Sequence, residues 1–305
     1  MPIRINPDPI LRELSANLAA RLKLMLHSPG DHLKVDDTGI VHPLDAHSRE
    51  NVTRLAGKVA IVTGGGTGIG RAIALALAAE GAKIAVLGRR EEKLLETATE
   101  IRSLKGDAIC ISVDVTRSAD AKEAVLQVER EFGKLDILIN NAGALSVSTI
   151  ETISEDDWDH IITTNLKGPF LMSRAALPAL RRAGGGSIVN IGSVLGLVAV
   201  KDRAAYCASK GGVTLLTKAM ALDHAHEQIR VNCICPSVVE TDLVRDLFAS
   251  SELGRQAKQA RIATIPMNRF GQPQDVAGLA VFLASDESSW MTGTAIPLDG
   301  GLTAY

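Results

Sequence analysis

The chain has 305 residues, 46% of them hydrophobic and 22% charged, with aromatic residues at 3% and a net charge of −2. A near-neutral chain offers no bulk field for nucleic acid or an anionic membrane, and so few rings argue against a base-stacking surface. No apolar run reaches the ~20 residues of a bilayer span, and four cysteines (Cys110, Cys207, Cys233 and Cys235) without a Cys-x-x-Cys spacing fit a reducing cytoplasm better than a disulfide framework.

Residues 1–55 read as an N-terminal extension. Leu11, Leu14, Leu18, Leu22 and Leu26 recur at helical spacing between Pro9 and His27. Residues 28–55 are polar and broken by Pro29, Gly30, Gly39 and Pro43. This predicts an amphipathic helix followed by an irregular arm, free to dock on its own domain, to dock on a neighbouring subunit, or to stay partly mobile. Asp8, Arg12 and Glu13 interrupt any signal-peptide core, and the acidic residues argue against a transit peptide.

From Lys58 the pattern changes, and residues 56–305 read as one catalytic domain. Apolar runs at Val59–Thr63, Lys83–Leu87, Ala108–Val113, Ile137–Asn140, Ser187–Ile191, Arg230–Cys235 and Thr294–Leu298 alternate with helical stretches. Strands that are apolar on both faces, separated by helices, indicate an α/β fold. We expect a doubly wound parallel sheet of Rossmann type, with helices on each side. Pro297 places the last strand at or near an edge.

The first strand runs into Thr63-Gly64-Gly65-Gly66-Thr67-Gly68-Ile69-Gly70 and then a helix from Arg71. Glycine lets backbone turn tightly and approach a pyrophosphate, and the helix N-terminus supplies free N–H groups and a favourable dipole. Gly64, Thr67, Gly68, Ile69 and Gly70 are therefore candidate dinucleotide contacts, against the plainer reading of a glycine turn. The second strand ends in Gly88-Arg89-Arg90, without the acid that would hold the ribose 2′-hydroxyl of NAD. Arg89 can pair with a 2′-phosphate, which favours NADP over NAD. Arg90 either joins it or opens the next helix beside Glu91 and Glu92.

Tyr206 and Lys210 stand four residues apart, with Ser193 thirteen residues upstream of the tyrosine. On a helix such a pair shares a face. An ammonium beside a phenol favours phenolate, so the tyrosine can exchange a proton near neutral pH, while Ser193 offers a hydroxyl to the same substrate oxygen. Taken alone, Tyr-x-x-x-Lys reads as readily as a solvated helix face. His224 and His226, beside Asp223 and Glu227, have no evident third ligand and read as a solvated helix end rather than a metal site.

With these motifs in one order over residues 56–302, the chain resembles the short-chain dehydrogenase/reductase family, nearest in character to 3-oxoacyl-carrier-protein reductases and sugar or polyol dehydrogenases. Further matching runs are Asp114-Val115, Asn140-Asn141-Ala142-Gly143, Asn165, Arg269-Phe270-Gly271-Gln272-Pro273 and Asp299-Gly300-Gly301. The resemblance implies Asp114 and Val115 at the adenine, although Asp114 before Thr116 also suits a turn acid. It implies Asn140 to Gly143 (Asn141, Ala142 and Gly143 as contacts) supporting the central strand and the cofactor ribose. Asn165 would hold a water that relays protons to Lys210. Pro236, Val239 and Thr241 would lie at the nicotinamide, with Thr241 on the carboxamide. Tyr206 would donate the proton, Lys210 would also bind the ribose, and the substrate would be a carbonyl or secondary alcohol. The family has Pro-Gly where this chain has Pro236-Ser237, and serine narrows the backbone there. Residues 240–267, with Leu243, Val244, Leu247, Phe248 and Leu253, would cover the substrate. Arg245, Arg255, Lys258 and Arg261 would meet an anionic group or form a solvated face. A homotetramer or dimer is implied, with the apolar run Gly212–Ala221 and the end at Leu302–Tyr305 compatible with it. The alternatives are a non-catalytic dinucleotide sensor, an interaction role for residues 1–55, and an enoyl reductase, whose Tyr and Lys are usually spaced more widely.

Overall fold

In a computed structural model of the chain, residues 33–35, 41–43, 53–242, 244–245 and 252–304 are described, with backbone alone at residues 33–35, 41–43, 252 and 253. The chain divides into two units, Met1–Val52 and Thr53–Tyr305. In the first, Leu33–Val35 and Val41–Pro43 pair antiparallel, with Lys34 opposite His42. The arm expected to be irregular thus contains a short ladder. The helix expected between Pro9 and His27 lies outside the described residues.

The second unit alternates strand and helix: β1 (Val59–Thr63), α1 (Gly68–Ala79), β2 (Lys83–Gly88), α2 (Glu91–Ser103), β3 (Ala108–Ser112), α3 (Ser118–Phe132), β4 (Ile137–Asn140), α4 (Glu155–Ile162), α5 (Gly168–Arg182), β5 (Gly186–Ile191), α6 (Ala204–His224), β6 (Ile229–Pro236), α7 (Glu252–Ala263), α8 (Pro273–Ala284) and β7 (Ala295–Leu298). The seven strands form one sheet in the order β3-β2-β1-β4-β5-β6-β7, parallel throughout. Every predicted strand is present, and β7 is an edge, with Pro297 opposite Cys235.

Side chains alternate across a strand, and both faces here are buried. Ala60 and Val62 of β1 pack with Ile73 and Leu77 of α1, Leu94 and Ile101 of α2, and Val276 and Val281 of α8. Val59 and Ile61 of the same strand pack with Val125 of α3, Leu171 and Leu180 of α5, and Met220 of α6. Strand order reverses between β1 and β4, which opens a crevice beyond the C-terminal strand ends. Among the described residues no helix is long and apolar enough to cross a membrane.

Candidate active site

The crevice is a cleft of about 1630 Å³, larger than a drug-sized pocket. It is lined by Gly64, Thr67, Gly68 and Ile69 from the first turn, Arg89 and Arg90 after β2, and Asp114 and Val115 after β3. Asn141, Ala142 and Gly143 follow β4, Ser193 follows β5, and Tyr206 and Lys210 come from α6. Pro236, Val239 and Thr241 follow β6. Two expected site residues, Gly70 and Asn165, are not among the lining residues.

The glycine turn is shaped as a cradle. Gly64 and Gly68 hold positive φ of 64° and 53°, which side chains rarely adopt. A Cβ on Gly64 would meet Asn141 Nδ2 at 2.8 Å, and one on Gly68 would meet Thr241 Cγ2 at 3.0 Å. Gly70 acts behind the cradle: its Cβ would fall 2.2 Å from Gly64 O, so a bare backbone is required where α1 meets the turn. No acid occupies the first turn of α1, leaving its N–H groups and dipole to face an anion. The Thr63 hydroxyl accepts from Asn141 N (2.9 Å) and Ala142 N (3.0 Å), and Asn141 Nδ2 donates to Thr63 O (3.0 Å) and Gly64 O (3.2 Å). The turns after β1 and β4 are thereby tied together. Sequence reasoning left Arg90 open; its Nη2 donates to Thr67 Oγ1 at 3.2 Å and braces the same turn.

Asp114 is the turn acid that its place before Thr116 suggested, and it also faces the cleft. It lines the cleft, and it accepts from Thr116 N (3.0 Å) and Thr116 Oγ1 (2.7 Å). Burial alone would raise its carboxyl, but the Thr116 donors and the positive charges of Arg89 and Arg117 hold it below the usual carboxylate value.

The serine, tyrosine and lysine converge from two elements. Ser193, buried just past β5, accepts from Leu195 N (3.1 Å), and its hydroxyl points to Pro236 O at 3.4 Å. Tyr206 is half-buried on the first turn of α6. One turn later Lys210 is buried, donates from Nζ to Ile191 O at 2.7 Å, and lies 5.8 Å from the centre of the Tyr206 ring. An ammonium carries three hydrogens, so it can serve both the phenol and a bound hydroxyl. Asn165 sits in a π-helical turn, Thr163–Lys167, between α4 and α5. Such turns recur at functional sites. Its Oδ1 accepts from Ala144 N (2.7 Å), and its Nδ2 donates to Ala144 O (2.9 Å) and Ser209 Oγ (3.1 Å). Both amide hydrogens are spent on protein, so the side chain braces the wall after Gly143 against α6.

The C-terminal motifs hold the loop after β6. Gly271 N donates to Val238 O (3.0 Å) and Glu240 N to Gly271 O (2.8 Å), which fixes Val239 before Thr241. Gln272 and Asp275 form a reciprocal cap on α8, with Arg269 bound to Asp275 at 2.7 Å. Ser237 is not among the residues at positive φ, so the departure from Pro-Gly carries no backbone strain. Val244, Ala257 and Arg261 reach the cleft from the expected cover. Lys258 pairs with Glu240 at 2.6 Å, and Arg245 pairs with Asp242. The expected apolar contributions of Leu243, Leu247, Phe248 and Leu253 lie outside the described side chains. The His224 ring lies 3.2 Å from Glu227, and Glu227 pairs with Arg181 at 2.8 Å, a polar cluster closing α6.

Residues 64–303 match the family model described as Enoyl-(Acyl carrier protein) reductase. The chain is 39% identical over 252 residues to 2-(S)-hydroxypropyl-CoM dehydrogenase 3 of Xanthobacter autotrophicus, covering 82% of this chain and 98% of the relative. It is 38% identical over 249 residues to the 3-oxoacyl-[acyl-carrier-protein] reductase FabG of Thermotoga maritima, covering 82% and 99%. A solved short-chain type dehydrogenase/reductase from Mycobacterium marinum superimposes with a TM-score of 0.78 at 37% identity, covering 84% of this chain and 99% of that one. With this fold, this cleft and these relatives, the chain belongs to the short-chain dehydrogenase/reductase family of oxidoreductases.

Proposed function

We propose that residues 56–305 catalyse reversible reduction of a ketone to a secondary alcohol with NADP, Tyr206 serving as the proton donor. The observation that carries this reading is the buried Lys210 ammonium, 5.8 Å from the Tyr206 ring in the cleft that also holds Ser193 and the glycine turn. The glycine cradle, the acid-free N-terminus of α1 and the tied turns after β1 and β4 fit a dinucleotide pyrophosphate. When bound, the nicotinamide supplies or accepts the hydride.

The chain's own residues do the rest. Tyr206 gives its phenolic proton to the substrate oxygen, and Ser193 donates a hydrogen bond to that oxygen as charge develops. Lys210, anchored on Ile191 O, stands beside the phenol and reaches a ribose hydroxyl with a remaining hydrogen. Asn165 stiffens the wall these groups share, and its oxygen keeps one lone pair for a relay water. Leu145, Val194, Leu195, Val200 and Val244 line the substrate end, which supports a partly apolar substrate, covered by residues 240–267. The named relatives include a hydroxypropyl and a 3-oxoacyl enzyme, both working at a secondary alcohol or ketone centre.

Tyr206→Phe tests the reading on a panel of ketones and polyols. Since a positioned acid contributes about 10²–10⁴-fold, turnover should fall by at least about 10²-fold while the cofactor still binds. Turnover near that of the wild type sinks the assignment. Arg89, exposed at the cleft beside the adenine-side turn, supports NADP, and tighter binding of NADH than NADPH refutes that preference. We further propose self-association through α6, where Leu215 and Leu222 are 66% and 82% exposed two turns apart. Sedimentation at a monomer mass would overturn it.

A further inference from the structure

Asparagine is a poor strand residue, yet β4 and β5 each carry one, and the two stand opposite in register as Asn140 and Asn190. Both are buried, as are Ser173 on α5 and Thr217 on α6. A buried amide is costly unless its hydrogen bonds are met; here Asn140 Oδ1 has no partner, and the bonds that are made run in one direction. Thr217 Oγ1 donates its single hydrogen to Val213 O (2.8 Å), so it accepts from Asn190 Nδ2 (2.9 Å). That orients the Asn190 amide and turns its Oδ1 to accept from Asn140 Nδ2 (2.9 Å), which also donates to Ser173 Oγ (3.1 Å). Bonds chained this way polarise one another.

The chain of bonds joins three parts of the candidate site. Asn140 precedes the Asn141–Gly143 turn, Asn190 stands three residues before Ser193 on β5, and Thr217 stands two turns after Lys210 on α6. Two rungs therefore connect β5 to α6: Lys210 to Ile191 O, and Thr217 to Asn190. The lysine rung is a long methylene arm that can pivot without opening. The threonine rung is short, and a slide of the helix would break it. Holding reacting groups within ~1 Å is worth about 10²-fold in rate.

We propose that Asn190 and Thr217 are positioning residues that pin α6 against β5, so that Tyr206 and Lys210 meet Ser193 in a single register. The kinetic consequence rests on the oxidoreductase reading; the mechanical one does not. Thr217→Val keeps the shape and removes the hydroxyl, while Thr217→Ser keeps the hydroxyl. In Thr217→Val, kcat should fall at least about tenfold, with KM for the ketone and Kd for NADPH within about twofold of wild type. Thr217→Ser should recover most of kcat. Hydrogen exchange of amides 204–210 should quicken several-fold in Thr217→Val and return in Thr217→Ser. Asn190→Leu, confirmed folded by circular dichroism, should repeat the valine result. Unchanged kcat and exchange in Thr217→Val, or failure of serine to restore either, overturns the pin. If the wild type reduces no carbonyl, the oxidoreductase reading fails and the exchange measurement alone decides the pin.

Discussion

Replacing Gly70 by alanine adds one methyl group at the tightest point in the candidate site. The new carbon would lie 2.2 Å from Gly64 O and 2.4 Å from Asn141 Nδ2, more than ~1 Å inside ordinary contact. Neither neighbour can swing away: one is backbone, and the other donates to Thr63 O and Gly64 O. The clash costs about 1–3 kcal/mol as overpacking, and losing the two amide bonds adds about 1 kcal/mol each. For a unit of this size that corresponds to a melting temperature lower by about 10 °C. The shift also moves the turn away from the N-terminus of α1, so NADPH should bind at least about tenfold more weakly. Gly278 is the matched control. It is exposed in α8 and a Cβ there meets nothing within 4 Å, so Gly278→Ala should stabilise by about 0.5–1 kcal/mol. Thermal melts and fluorescence titration with NADPH read both variants. A Gly70→Ala protein that melts within about 2 °C of wild type and binds NADPH equally refutes the packing role.

Asp299 accepts from Gly301 N (2.9 Å), Thr303 N (2.8 Å) and Thr303 Oγ1 (2.6 Å). Burial alone would raise its carboxyl, but those donors outweigh it and hold it below the usual value. A lowered carboxyl stabilises the fold above its unfolded value of about 4, and that stabilisation is lost as pH falls through the lower folded value. Asp299→Asn should therefore cost about 1–2 kcal/mol at neutral pH and flatten the acid limb of stability. An unchanged slope of melting temperature between about pH 3 and 5 would contradict this. Ser237→Gly restores the residue usual in the family, yet Ser237 needs no left-handed backbone. It should lower stability by up to about 1 kcal/mol without raising turnover. A large gain in kcat would mean that the serine side chain obstructs the pocket.

Much of the catalytic unit was legible along the chain, because a strand buried on both faces must be apolar throughout and a tight phosphate turn must be glycine. Val59–Thr63 and Ile137–Asn140 appear at the expected residues, and the other strands within a residue or two. Tyr206 and Lys210 share a helix face because helical periodicity alone places them so. The sequence could not say what Gly70 and Asn165 do, since their neighbours come from elsewhere in the chain. Gly70 stays bare for the backbone of Gly64, and both hydrogens of the Asn165 amide go to Ala144 and Ser209. The same holds for Asn190 and Thr217: a polar residue inside an apolar strand was visible, but its partner was not, because hydrogen-bond geometry across a sheet and a helix exists only after the chain packs. Local periodicity and turn chemistry are properties of neighbouring residues, so the sequence by itself determined the fold class and the candidate reacting groups. The register in which β5 presents Ser193 to α6 is set by contacts between residues far apart in the chain, and only the tertiary structure decided it.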